Sequence, residues 1–217
     1  MADEPHGFAR IITPMLAKLM SLFLLGLIRL LTGAQARWQG CPPKAEQRIY
    51  FANHQSHVDL ILMWAALPAE LRSITRPIAA GDYWTKTRFR KWITTAVFNA
   101  IYVDRAKTGD QDPLEPLIRA LDQGDSVILF PEGTRGNQEE PQSFKSGIYN
   151  LALKFPDVVL VPAWINNVQR VMPKGEVVPV PILCSVTFGV PLALGPDEDR
   201  GSFLTRARQA VVDLRES

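Results

Sequence analysis

The chain has 217 residues, enough for one domain with a sizeable core. Its formal net charge is only +2, so the overall balance singles out no partner. Two cysteines, Cys41 and Cys184, stand far apart in no CxxC pattern. They exclude a disulfide framework and fit a reducing compartment.

The most apolar stretch comes first, Ile11 to Leu31, about the roughly 20 residues that span a bilayer. Lys18, Ser21, Arg29 and Thr32 fall within one wedge of about 80° on a helix, and the other faces are almost wholly Leu, Ile, Met and Phe. A wide apolar face with a narrow basic stripe suits a membrane interface. A spanning helix with both cations snorkelling, or a greasy helix docked on the protein's own core, are the alternatives. No small-residue cleavage site follows, which argues against a cleaved signal peptide. If the helix spans, Arg37, Lys44 and Arg48 place the main domain in the cytoplasm. Residues 1–38 are thus expected to form a membrane-associated helical segment, and residues 39–217 an α/β domain.

Gln39 to Pro43 reads as a linker. Strands are expected at Arg48–Asn53, Pro77–Ala80, Ala100–Val103, Ser126–Phe130, Val158–Ile165 and Leu183–Val190. Helices are expected from Ser56 to Leu67, from a cap at Asp82 to Phe98, and from a cap at Asp112 to Leu121. Two more are expected, one opening at Ser143 and one at Ser202–Leu214. Strands alternating with helices imply an α/β fold, a largely parallel central sheet flanked by helices.

Three of these strands finish in polar clusters. The first ends in Asn53-His54-Gln55-Ser56-His57-Val58-Asp59. An imidazole accepts a proton at neutral pH, and a carboxylate on its other nitrogen fixes the tautomer. Ser56 and Asp59 also match a capping box, so spacing alone leaves Asp59 open between helix cap and partner of His54. His57, one helical turn from His54, reads as a packing or solvent-facing residue. The second cluster is Asp104-Arg105, and the third is Phe130-Pro131-Glu132-Gly133-Thr134-Arg135. Gly133 permits a tight turn whose N–H groups can bind an anion. Arg105 and Arg135 carry planar forks suited to phosphate, or else form surface ion pairs with Asp104 and Glu132. Strand ends on one edge of a parallel sheet would bring the three clusters together. The region from Arg72 to Lys107 holds eight basic residues against two acidic ones, a local excess that draws phosphates, anionic lipid or nucleic acid. Within it, Tyr83 to Trp92 mixes aromatics and cations, and suits a headgroup layer, the phosphates of CoA, or an ordinary solvated helix face.

The blocks His54-Gln-Ser-His-Val-Asp59 (HX4D), Ile101-Tyr-Val-Asp-Arg105, Phe130 to Arg135 (FPEGTR) and the proline of Val161-Pro162 resemble, in order, those of the glycerolipid acyltransferase family. The best-known members of that family are the 1-acylglycerol-3-phosphate acyltransferases. Phe144-Lys145-Ser146-Gly147 resembles the segment between the last two blocks. Asn99 stands where Gly is common, and Gly136 where Ser is. The resemblance implies transfer of an acyl group from acyl-CoA or acyl-carrier protein to a lysophospholipid acceptor, above all 1-acylglycerol 3-phosphate, at a bilayer surface. Glycerol 3-phosphate, another lysophospholipid or an acylated amino-acid lipid are alternative acceptors. His54 would be the general base and Asp59 its partner. Arg105 and Arg135 would hold the phosphate, with Glu132, Gly133 and Thr134 shaping the pocket and Lys145 as a further cation. Backbone N–H groups near Gly133 would receive the oxyanion. No metal, cofactor or nucleic acid is implied. A thioester hydrolase and a non-catalytic lipid-binding protein are the rival readings.

Overall fold

A computed structural model of the chain describes residues 6–56, 58–103, 112–136, 140–166 and 183–216. In order, the elements are α1 (His6–Thr32), β1 (Gln35–Trp38), β2 (Arg48–Ala52), α2 (Asp59–Ala66), α3 (Ala69–Ser73), β3 (Thr75–Ala80), α4 (Gly81–Trp84) and α5 (Arg88–Trp92). A π-helical turn (Ile93–Val97), β4 (Ile101–Val103), α6 (Glu115–Asp122), β5 (Ser126–Leu129), α7 (Gly147–Lys154), β6 (Val159–Asn166), β7 (Ser185–Phe188), α8 (Arg200–Val212) and a 3₁₀ turn (Asp213–Glu216) complete it. The described strands form one sheet in the order β1-β7-β6-β2-β5-β3-β4. From β6 to β4 all neighbours are parallel, β7 runs antiparallel to β6, and β1 runs parallel to β7. The expected largely parallel α/β sheet is therefore present.

The strand pattern explains the layers. All five residues of β2 are buried. Tyr50 and Ala52 pack with Ile128, Val161, Ala163 and Ile165 on the face covered by α1 and α2. Ile49 and Phe51 pack with Val127, Leu129, Leu160 and Trp164 on the face covered by α6, α7 and α8. A continuous apolar run is what a strand covered on both faces requires. The sheet order reverses at β2: the chain first builds outward through β3 and β4, fills in β5, then crosses to β6. Such a reversal opens a crevice beyond the strand ends.

Several boundaries differ from the sequence reading. The strand β1 was not expected. It lies ahead of the boundary anticipated at residue 38, yet pairs with β7 from Gln35↔Ser185 to Trp38↔Phe188. The single helix expected from Asp82 to Phe98 is broken. Asp82 lies inside α4, the Thr85 hydroxyl donates to the Gly81 carbonyl, and Thr87 caps α5 by accepting the Arg90 N–H. Hydroxyl groups that satisfy backbone atoms locally compete with continuous helix. The last two helices also shift. α7 begins at Gly147, and Asp199 caps α8 by accepting the N–H groups of Gly201 and Ser202.

Helix α1 is inverted relative to a soluble amphipathic helix. Ala17, Leu25, Ile28 and Thr32 are buried, so Thr32 of the polar wedge faces the protein. Leu16, Leu19, Leu22, Phe23, Leu27 and Leu30 are exposed, Phe23 to 62% and Leu30 to 81%. Lys18 and Arg29 stay exposed. Arg48 is buried and ion-paired to Glu46 at 2.7 Å, so it cannot act as a headgroup-facing cation beside the helix. Cys41 and Cys184 are both buried and form no disulfide.

One side chain closes the sheet above the site's floor. Asn53, 1% exposed, donates through Nδ2 to the Ile165 carbonyl at 3.2 Å and accepts the Ile165 N–H on Oδ1 at 2.8 Å. Its amide thus prolongs the β2–β6 ladder past the last backbone pair, Ala52↔Ala163. Asn53→Ala would leave a buried N–H and a buried carbonyl without partners. It is expected to cost about 2–4 kcal/mol, measured by urea unfolding. An unchanged midpoint would show that the amide contributes little.

Candidate active site

The strands β2 and β5 are parallel neighbours in register Phe51↔Leu129, so His54 and Glu132 each lie three residues beyond that pair. Sheet pairing alone therefore sets the HX4D and FPEGTR segments side by side. The strand β4 ends at Val103 on the same edge, two strands from β5. Arg105 and Asp104 lie outside the described residues, as does His57.

The His54 Nδ1 and Asp59 Oδ2 atoms are 2.8 Å apart. An ionised carboxylate only accepts, so Nδ1 carries the proton of the neutral ring and Nε2 presents its lone pair. The His54 side chain is 13% exposed and that of Asp59 is fully buried. Asp59 Oδ2 also accepts the N–H groups of Gln55 at 2.6 Å and Ser56 at 2.8 Å, while Oδ1 has no partner among the described residues. The residues ahead of the helix thus wrap around one carboxylate oxygen. The capping-box reading changes accordingly. α2 begins at Asp59, not Ser56, and the Ser56 hydroxyl accepts the Val58 N–H at 3.3 Å instead of capping at the N3 position. Asp59 is at once the anchor of that loop and the neighbour of the imidazole.

The third cluster holds His54 by its main chain. The His54 N–H donates to Glu132 Oε1 at 2.7 Å, and the His54 carbonyl accepts the Gly136 N–H at 2.8 Å. Glu132 Oε2 accepts the Gln142 N–H at 2.8 Å. The carboxyl group is 2% exposed, and burial pushes its pKa above the ordinary carboxylate value against the lowering effect of those two N–H groups. Glu132, expected to shape a phosphate pocket, is therefore spent on two backbone segments and is neither exposed to a ligand nor paired with Arg135.

Gly133 adopts φ +70°, and a Cβ there would lie 2.6 Å from Lys145 Nζ. Its own N–H closes the turn onto the Phe130 carbonyl at 3.0 Å, so that N–H is not free for an oxyanion. The Gly136 N–H is likewise committed to His54. Thr134, Arg135 and Lys145 are exposed, and neither cation forms an ion pair with another described residue. The Lys145 N–H donates to the Pro131 carbonyl, which brings the segment before α7 onto the same turn. The structure thus gathers His54, Asp59, Glu132, Gly133, Thr134, Arg135 and Lys145 at one edge. Among the described residues no group of three His, Cys, Asp or Glu side chains is placed to hold a metal ion.

With this geometry in view, the comparisons with known proteins are direct. Residues 39–166 match the sequence profile of the Acyltransferase family. The chain belongs to this family. It is 31% identical over 165 residues to the human 1-acyl-sn-glycerol-3-phosphate acyltransferase alpha, covering 73% of this chain and 55% of that protein. A 1-acyl-sn-glycerol-3-phosphate acyltransferase of Chlamydomonas reinhardtii is 27% identical over 177 residues, covering 80% of this chain and 50% of that one. The chain spans about half the length of the curated relatives it matches. The crystal structure of the 1-acyl-sn-glycerophosphate (LPA) acyltransferase PlsC from Thermotoga maritima superposes with a TM-score of 0.71 at 22% identity, covering 100% of this chain and 83% of that chain. That likeness establishes a shared fold.

The two departures from the Acyltransferase blocks have simple physical readings. Asn99, where Gly is common, has φ +48°, and Asn is among the few residues with a side chain that tolerate that left-handed region. At Gly136 a Cβ would come within 3.3 Å of Glu132 Oε2, a tight fit beside the carboxylate that holds His54. Pro162 of the fourth block lies inside β6 opposite Phe51, below the polar edge. Sequence reasoning missed Phe130 as a site residue. Its ring stacks on the His54 imidazole with centroids 4.4 Å apart and 16° between planes. The available signal was register, since Phe130 follows the Phe51↔Leu129 pair directly.

Proposed function

We propose that this chain transfers a fatty acyl group from a thioester, acyl-CoA or acyl-carrier protein, to the free hydroxyl of 1-acylglycerol 3-phosphate. The product is phosphatidic acid. The observation that supports this best is a part-exposed imidazole held at Nδ1 by a buried carboxylate, near two exposed cations, Arg135 and Lys145, that have no ion-pair partner among the described residues. In the proposed reaction His54 Nε2 takes the hydroxyl proton as the oxygen attacks the thioester carbonyl. The tetrahedral intermediate collapses, the C–S bond breaks, and the imidazolium returns its proton to the departing thiolate. The attacking oxygen belongs to the acceptor, so no acyl-enzyme forms, and rate comes chiefly from orientation and general-base help. Arg135 and Lys145, with Arg105, bind the acceptor phosphate. The N–H groups of Thr134 and Arg135, adjoining Gly133 and without a partner among the described residues, are the oxyanion donors. The reaction as proposed needs no metal or cofactor. The cations argue against a hydrolase, for which a phosphate site has no purpose.

Membrane attachment belongs to the same proposal. The segment Met15–Thr32 is long and apolar enough to cross a bilayer, and only 22% of it is buried. Its docked side favours a helix lying in the interface beside the domain over one that leaves it to span; in the spanning case Arg37 and Lys44 would put the domain on the cytoplasmic face. Each exposed Leu or Phe that leaves water contributes about 1.5–3 kcal/mol.

One experiment tests both parts. The full chain is mixed with vesicles containing lysophosphatidic acid, sedimented, and supplied with labelled acyl-CoA, alongside His54→Gln. Labelled phosphatidic acid from the sedimented protein, lost in the variant, is expected. Free fatty acid as the sole product would favour the hydrolase, and protein left in the supernatant would overturn the membrane reading.

A further inference from the structure

We propose that Phe130 is a positioning residue for the base: its ring fixes the plane of the His54 imidazole and supports the cation that forms there during turnover. The inference rests on the acyltransferase reading above and adds to it a residue that neither touches substrate nor exchanges a proton.

The imidazole has one degree of freedom left after its Nδ1 bond to Asp59. A single hydrogen bond at one ring atom tethers an edge but lets the plane swing about it. The stacked Phe130 ring removes that swing, because two planes 16° apart at 4.4 Å tolerate little rotation before their atoms collide or separate. Nε2 then has one direction in which to meet a hydroxyl, and near-attack alignment is where much of an enzyme's rate resides. The electronic effect has the same sign. The π face of an aromatic ring is negative, so it attracts the positive charge that appears on the imidazole when it takes the proton.

Phe130 is itself held firmly. It follows β5, its carbonyl accepts the Gly133 N–H, and the next two residues are fixed as well. Pro131 accepts the Lys145 N–H, and Glu132 accepts the His54 N–H. The same turn therefore fixes the His54 main chain through Glu132 and Gly136 and its side chain through Phe130. That segment sets the height and plane of the base, and Asp59 tethers its edge.

The test compares Phe130→Leu, similar in bulk but without a π face, with Phe130→Tyr, which keeps the ring. With acyl-CoA and lysophosphatidic acid, the Leu variant is expected to lose about 10–100-fold in kcat with KM unchanged, and the Tyr variant to recover most of it. Independently of turnover, NMR of histidine-labelled protein reads the ring. The His54 ring protons, assigned with His54→Gln, are expected upfield in wild type and Phe130→Tyr and shifted back in Phe130→Leu. If Phe130→Leu does not fold, Phe130→Met takes its place. Unchanged kcat, a rise in KM alone, or identical ring-proton shifts in wild type and the Leu variant would overturn the proposal. If wild type transfers no acyl group to any acceptor, the acyltransferase reading fails by itself. The ring-proton shifts then still decide whether Phe130 fixes the imidazole.

Discussion

Asp59→Asn is expected to lower kcat for acyl transfer by about 10²–10⁴-fold while leaving KM for both substrates near the wild-type value. The magnitude follows from what one oxygen does. Asp59 Oδ2 receives the His54 ring N–H and the backbone N–H groups of Gln55 and Ser56. An Asn oxygen in the same place still accepts all three, so the loop and ring keep their positions. The negative charge is gone, however, and with it the stabilisation of the imidazolium formed when His54 takes the hydroxyl proton. The Asn NH₂ then occupies the site of Oδ1, which is buried without a partner among the described residues. An unmatched donor there costs about 1–3 kcal/mol, visible as a lower urea midpoint. Initial rates at saturating substrate, corrected for the folded fraction, separate the two effects. A corrected kcat within a few-fold of wild type would mean that Asp59 is a structural anchor only.

That double role is why the site was only partly legible from sequence. The convergence of strand ends could be read, because continuous apolar runs such as Ile49–Ala52 and Ser126–Leu129 announce buried parallel strands and the polar residues after them must share an edge. What the carboxylates do there could not be read, since direction depends on side chains and turns. Ser56 and Asp59 keep half of a capping box, the Ser56 N–H donating to the Asp59 carboxylate, yet the helix starts at Asp59 and the Ser56 hydroxyl accepts the Val58 N–H instead. Glu132 sits among residues that look like phosphate ligands but turns inward, where two backbone donors only partly offset its desolvation. The wedge of α1 has a similar history. Periodicity located it, but only tertiary contact shows that Thr32 and Leu25 lie against the protein while Leu16, Leu19, Leu22, Leu27 and Leu30 do not. Strand β1, four residues at the sheet's edge, carries too little pattern to announce itself.

Glu132→Ala is expected to destabilise the fold by about 3–5 kcal/mol, and Glu132→Gln by about 1–3 kcal/mol. Alanine abandons the N–H groups of His54 and Gln142, both part-buried. Glutamine keeps one acceptor and turns an NH₂ toward the other N–H, a donor facing a donor. Because the His54 N–H is one of the two, the loss reaches the base: kcat should fall about 10–100-fold in either variant through misplacement of the imidazole. The pH dependence has a definite sign. Burial is the dominant influence on Glu132 and raises its pKa in the folded protein above that of the unfolded chain, about 4.3. Between those two values the folded state binds the extra proton, so its stability is greatest below the unfolded value and declines as pH rises through the folded one. Glutamine does not titrate and lacks that decline. The gap in stability between wild type and Glu132→Gln should therefore be widest at the acid end of a urea series and narrow toward neutrality. A gap that widens with pH would mean instead that the two N–H bonds to the ionised carboxylate outweigh its burial, and Glu132 would then hold His54 more tightly the more fully it is charged.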